Sequence, residues 1–133
     1  MYFFAYDDNL SKKVMAARCP EAKPVSPATL PNYKLVFSGW SRQWHGATAA
    51  IMSTRGERVR GAVYEISEAD RRRLDRAMEC PARRKPLPVT VFDPDDSSLT
   101  AFTYLPAGPL SAATPGAAYL EVLRQGLKDW GLR

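Results

Sequence analysis

Apolar residues begin almost at the first position. Tyr2-Phe3-Phe4-Ala5-Tyr6 is a short aromatic run that breaks at once into Asp7-Asp8-Asn9. A run this short, bounded by polar turn residues, reads as a buried strand over 2–5. From Asn9 or Ser11 the spacing predicts a helix through Ala17, with Leu10, Val14 and Ala17 on one face and Pro20 as its end. Pro24, Pro27 and Pro31 then make residues 21–31 read as an extended connector. Residues 33–37 alternate in the manner of a strand, and 38–46 form a loop holding Trp40, Trp44 and the only His, His45. Residues 47–52 and 59–66 read as two strands of one hairpin, joined by a turn at Arg55-Gly56-Glu57.

Ser67 followed by Glu68 and Asp70 marks a helix start, with a capping hydroxyl and acids in the first turn. That helix runs through Leu74 and Met78 and must stop near Cys80, because Pro81 disfavours helical geometry in the residue before it. Residues 89–92 and 99–105 are strands around a turn at 93–96. Thr114-Pro115 reads as an N-cap with proline at the first helical position. Leu120, Leu123, Leu127 and Trp130 define an apolar face, and Gly131 ends the helix. Strand, helix, strands, helix, strand pair and helix imply an α/β or α+β mixed sheet, for which closure into a small barrel is open.

Bulk properties narrow the class. A chain of 133 residues is most simply a single domain, 1–133, large enough to bury about two-thirds of its unfolded surface. No apolar run approaches the length needed to span a bilayer, and the first residues reach Asp7 too early for a signal peptide. The expected location is therefore cytoplasmic. Cys19 and Cys80 match no metal spacing and read as free thiols. The net charge of +5 gathers in arginine-rich stretches around residues 55–60, 71–76 and 83–85. No nucleic-acid-binding signature accompanies them, so they read as a solvated helix face with loop charges, without a nucleic-acid or membrane partner.

The candidate chemistry starts at the opening turn. A strand, tight turn and helix bring backbone N–H groups together as an anion pocket, yet two of this turn's three polar residues are acidic. The surrounding motifs resemble the γ-glutamylcyclotransferase-like, or AIG2-like, family. Tyr2-Phe3-Phe4-Ala5-Tyr6-x-x-Asn9-Leu10 is similar to its Y-F-A-Y-G-S-N-L opening. Trp44-His45-Gly46 resembles its W-H-G loop, and residues 59–75 resemble the strand and helix before its catalytic position. Tyr104 lies in a stretch similar to a late S-Y-L strand, and residues 115–132 resemble the closing helix.

The resemblance implies a small mixed barrel and an activity that releases 5-oxoproline and free amine from γ-glutamyl amines. It implies no cofactor and no metal, and a small-molecule γ-glutamyl amine as the partner. A glutamate at the end of the second helix serves as acid and base, and N–H groups of the opening turn bind substrate. Carried onto this chain, the substrate-binding positions are Tyr6, Asp7, Asp8, Asn9, Leu10, Met78 and Tyr104.

Departures from the pattern matter as much. Asp7 and Asp8 replace the Gly and Ser of the turn, either capping the next helix or placing negative charge beside the ligand. In the L-D-x-x-E-G pattern, Met78 takes the acid's place and Glu79 the glycine's. Glu79 is the candidate catalytic acid if the helix end turns it inward. A Tyr expected shortly after the acid gives way to Arg83-Arg84-Lys85. His45 reads as part of a structural loop, or as a base facing the cavity. Convergence of Asp7, Asp8, Glu79 and His45 would offer divalent-metal ligands. Two functions stand open: a γ-glutamyl cyclotransferase-like enzyme, or a catalytically degenerate member that binds a small molecule or a protein.

Overall fold

The structure, a computed structural model, describes residues 1–132. Its elements are β1 (Tyr2–Ala5), a 3₁₀ turn (Asp8–Leu10), α1 (Lys12–Arg18), β2 (Lys23–Ser41), β3 (Gly46–Glu65), α2 (Glu68–Ala77), β4 (Arg84–Phe92), β5 (Ser98–Pro106) and α3 (Ala117–Asp129). The strands close a barrel in the order β1-β3-β2-β4-β5, with β1 and β5 parallel and the other pairs antiparallel.

Alternation along β1 divides the core into two parts. Phe4 points into the barrel with Leu30, Ile51, Val59, Val63 and Val91. Phe3 and Ala5 point outward, where Met15, Cys19, Leu74, Met78, Phe102 and Tyr104 pack beneath α1 and α2. The expected helix start at Ser67 is present: its Oγ accepts the Asp70 N–H at 3.1 Å.

Four local expectations are corrected. Residues 21–31 are largely strand rather than connector, because β2 begins at Lys23 and keeps its pairing with β3 by shifting register at Pro24/Ser26 and Pro31/Tyr33. Irregularities of this kind accommodate prolines that have no N–H to give. Residues 47–52 and 59–66 are not two arms of a hairpin. All but Ile66 belong to one long strand, β3, which pairs with β2 along most of its length and with β1 near its end, and Gly56 (φ 86°) marks a register jump opposite Asn32.

In α1 the buried residue is Met15, followed by Cys19, while Val14 is half-buried and Ala17 exposed. The 3₁₀ turn advances at three residues per turn, so a helical phase counted from Leu10 does not survive it. Finally, α3 is capped by Gly116, not Thr114, and buries Tyr119, Leu123 and Gly126 while Leu120 faces out. Thr114 and Pro115 are occupied elsewhere: the Thr114 carbonyl accepts the Ala47 N–H at 3.1 Å, and Pro115 bridges to Ala47.

Candidate active site

The turn after β1 is held rigidly from three sides. Asp7 caps it, its Oδ1 accepting the Asn9 N–H at 3.0 Å. The Asp7 and Asp8 carbonyls accept the N–H groups of Leu10 (2.9 Å) and Ser11 (3.1 Å). From outside, Tyr64 Oη donates to the Asn9 carbonyl at 3.0 Å and Trp130 Nε1 to the Leu10 carbonyl at 2.9 Å. Helix α3 approaches so closely that a Cβ on Gly126 would lie 2.6 Å from Leu10 Cβ and 2.8 Å from Ser11 N. The N–H groups of Asn9, Leu10 and Ser11 are therefore used inside the turn.

The turn's carboxylates differ in their surroundings. Asp8 is 5% exposed, and its Oδ2 accepts from Arg18 Nη2 at 2.9 Å and Trp44 Nε1 at 3.2 Å. Arg18 also donates Nη1 to Asn9 Oδ1 at 2.7 Å. Burial lowers the affinity of Arg18 for its proton, but the adjacent Asp8 outweighs it and holds the guanidinium above its usual value. Asp7 has no ion pair among the described residues. Burial, reinforced by the Asp8 charge, pushes its carboxyl up to about 6. The same burial, with Asp7 and Asp8 nearby, raises the Tyr119 phenol.

Beside this turn lies a cavity of about 920 Å³. Asp8, Arg18 and Trp44 form one side; Met78 and Glu79 from the end of α2, with Arg83 and Arg84, form another; Trp40 and Thr48 complete the wall. Arg84 is held by neutral acceptors, Nη1 donating to the Met78 carbonyl (3.1 Å) and Nη2 to Thr48 Oγ1 (3.3 Å). Among the described residues it forms no ion pair.

The end of α2 separates two neighbouring side chains. Met78 is 3% exposed, and its sulfur accepts from Asn9 Nδ2 at 3.4 Å. Glu79 follows with φ 55°, in the left-handed region that favours glycine, where it stands in the glycine's place in the motif. Its side chain is 55% exposed at the cavity rim and pairs with Arg83 at 3.5 Å.

Of the residues expected to bind substrate, Asp8 and Met78 line the cavity, with Glu79 at its edge. Asp7, Asn9 and Leu10 stand behind that wall as buried supports. Tyr6 spans the interior, donating to the Tyr104 carbonyl at 2.6 Å. Tyr104 itself packs against Phe3 and Phe102 and donates its hydroxyl to Asp75, away from the cavity lining. His45 is exposed beside the Trp40 ring and does not join Asp7, Asp8 and Glu79, so that quartet supplies no converged ligand set. Arg18 and Trp44 went unassigned in the sequence, because nothing local signals that either will reach Asp8.

Comparison with known proteins agrees with this architecture. A family model described as "Gamma-glutamyl cyclotransferase, AIG2-like" matches residues 3–126. Gamma-glutamylcyclotransferases from Bos taurus and Homo sapiens are 29% and 27% identical, the alignments covering 98% of this chain and 71% of each relative. A solved gamma-glutamyl cyclotransferase superposes with a TM-score of 0.95 at 27% identity, over 99% of this chain and 80% of that one. The YkqA structure from Bacillus subtilis shares the fold at a TM-score of 0.83 and 19% identity, over 100% of this chain and 49% of its own.

Proposed function

The chain belongs to the γ-glutamyl cyclotransferase, AIG2-like family, and on that premise we propose that it cleaves a γ-glutamyl amine into 5-oxoproline and the free amine. The substrate's α-amine attacks its own γ-carbonyl, a five-membered lactam closes, and the bond to the departing nitrogen breaks. One proton leaves the attacking nitrogen and one reaches the leaving nitrogen, so a single carboxylate can carry it across. We assign that role to Glu79, the acid at the cavity rim. The supporting observation is the cavity itself: about 920 Å³, charged, and bounded by both the opening turn and the end of α2. That volume lies in the range typical of small-molecule sites. The reaction as written needs no cofactor. The cytoplasm is the proposed compartment, and the two unpaired cysteines support it.

The test is release of 5-oxoproline from a panel of γ-glutamyl amines, repeated with Glu79→Gln. Losing an acid–base group lowers turnover by about 10²- to 10⁴-fold. A panel that yields no 5-oxoproline with the unaltered protein contradicts the proposal.

One observation favours a second reading, a binding module without turnover. Met78 fills the family acid's position and is buried against Asn9, while Glu79 leans outward to Arg83. On this reading the unaltered protein binds γ-glutamyl compounds but releases nothing, and Met78→Glu combined with Asp7→Gly and Asp8→Ser creates activity.

A further inference from the structure

Two of the chain's three tryptophans are tied down at both the indole N–H and the ring face. Trp44 donates Nε1 to Asp8 at 3.2 Å and meets Tyr119 edge-on, with ring centroids 5.4 Å apart. Trp130 donates Nε1 to the Leu10 carbonyl at 2.9 Å and meets Tyr64 edge-on at 5.3 Å. Trp40 differs in every respect. It is 62% exposed, more than any other large apolar side chain among the described residues. Its indole N–H meets no acceptor among them, and its one aromatic neighbour is the exposed His45, at 6.4 Å.

The backbone beneath this ring is nonetheless held. The Trp40 carbonyl accepts Arg83 Nη2 at 3.1 Å. The Gly39 N–H donates to the Ser111 carbonyl at 2.9 Å, and the Ser111 N–H returns to Ser38 Oγ at 2.8 Å. The Arg83 carbonyl accepts the Ala107 N–H at 2.9 Å. The end of β2, the start of β4 and the loop after β5 are thus pinned together, and all three contribute to the cavity wall. A fixed backbone here carries an indole that the protein itself leaves uncovered, and apolar area of that size gains from being covered.

This corner adjoins the place where the leaving nitrogen must be. Glu79, the proposed proton carrier, pairs with Arg83 at 3.5 Å, and Arg83 also holds the Trp40 carbonyl. One guanidinium therefore bridges the acid and the Trp40 segment. With the bond to be broken at Glu79, the leaving amine has Trp40 within its reach. A cavity of about 920 Å³ is near the top of the range for small-molecule sites and has room for more than a glutamyl head. Pro109 adds apolar surface to the same wall. Arg42 is the rival determinant on this wall, since it has no ion pair among the described residues. It is exposed, however, where solvent weakens its pull, and its charge does not tell one side chain from another.

We propose that Trp40 is a specificity-determining residue for the leaving half, and that the protein favours γ-glutamyl amines whose leaving half carries an aromatic side chain packed on the indole. Offset or edge-on aromatic pairing adds to the gain from apolar burial alone. This deepens the γ-glutamyl amine reading and rests on it.

The experiment is titration calorimetry of the full chain carrying Glu79→Gln, so that the probes stay intact, with γ-glutamyl-phenylalanine and γ-glutamyl-alanine. The two probes share head, amide and carboxylate, and their ratio isolates the side chain. The phenylalanine probe is expected to bind about tenfold more tightly. Adding Trp40→Ala should erase that preference while weakening the alanine probe by less than about twofold, as befits an exposed position. Adding Trp40→Phe instead should keep most of the preference. The proposal is overturned if neither probe binds, if the two bind equally, if the preference survives Trp40→Ala, or if Trp40→Phe loses it as fully as Trp40→Ala does. A Trp40-dependent preference in binding, without 5-oxoproline release by the unaltered protein, would sink the proposed reaction alone. Release of 5-oxoproline from both probes, with no such preference in binding, would sink the aromatic specificity alone.

Discussion

Two regions meet beside the cavity, the opening turn and the end of α2, and they treat charge in opposite ways. At the opening turn, Asp7 and Asp8 are 5% exposed, and the chain surrounds them with Arg18, Trp44 and internal N–H donors. At the end of α2, the inward position is Met78 and the acid beside it, Glu79, is more than half exposed. Burial makes the difference physical. A buried ion pair is supported by fixed partners and suffers badly if one is lost, whereas an exposed pair is screened by water and contributes little. The turn is therefore where electrostatics is strongest and geometry most constrained, and the helix end is where they are weakest.

The sharpest way to break this contrast is to remove the turn's cation. Arg18→Met leaves Asp8 buried without its partner and should lower unfolding stability by about 3–5 kcal/mol in urea titrations. Adding Asp8→Asn should recover more than half of that loss. A loss below about 1 kcal/mol would make the turn no different from a surface pair.

Acidity gives the next effect. The Asp7 carboxyl rises from 3.8 to about 6 on folding, through burial first and the Asp8 charge second. Between those values the folded protein holds a proton that the unfolded chain has released. Stability from this group is thus present at low pH and is lost as pH rises through the folded value. Asp7→Asn keeps a side chain able to cap the turn. It should flatten that slope between about pH 4 and 6 and raise the melting temperature at neutral pH. An unchanged slope would show that Asp7 is not the titrating group.

The turn's rigidity is testable from behind. Gly126→Ala places a methyl against Leu10 and Ser11 backbone, and overpacking of this kind typically lowers stability by about 1–3 kcal/mol. Its expected companion is weaker binding in the cavity, because the turn carrying Asp8 must shift. The smallest effect belongs to the other region. Arg83→Ala removes the partner of Glu79 from a pair in which both side chains are over half exposed, and should change stability by less than about 1 kcal/mol.

What was readable in the chain was local. β1, the Ser67 cap of α2 and the stop at Gly131 each follow from a few neighbouring residues. The β2–β3 pair was harder, because Pro24, Pro31 and Gly56 read as punctuation, while the structure absorbs them as register shifts in long strands. The phase of α1 was lost for a similar reason, in the 3₁₀ turn ahead of it. At the site, Asp7, Asp8 and Met78 stood out as departures from a motif. Their partners did not. Arg18 meets Asp8 from 10 positions away, at the far end of α1, and Trp44 from 36, across the turn between β2 and β3.

Conversion of a γ-glutamyl amine by internal cyclisation in this cavity leaves a fixed ratio of products. The direct measurement is a product balance on one γ-glutamyl amine incubated with the purified chain. Internal cyclisation yields 5-oxoproline and free amine in equal amounts, both lost together in Glu79→Gln. Free amine accompanied by glutamate instead of 5-oxoproline, or no free amine at all, would contradict it.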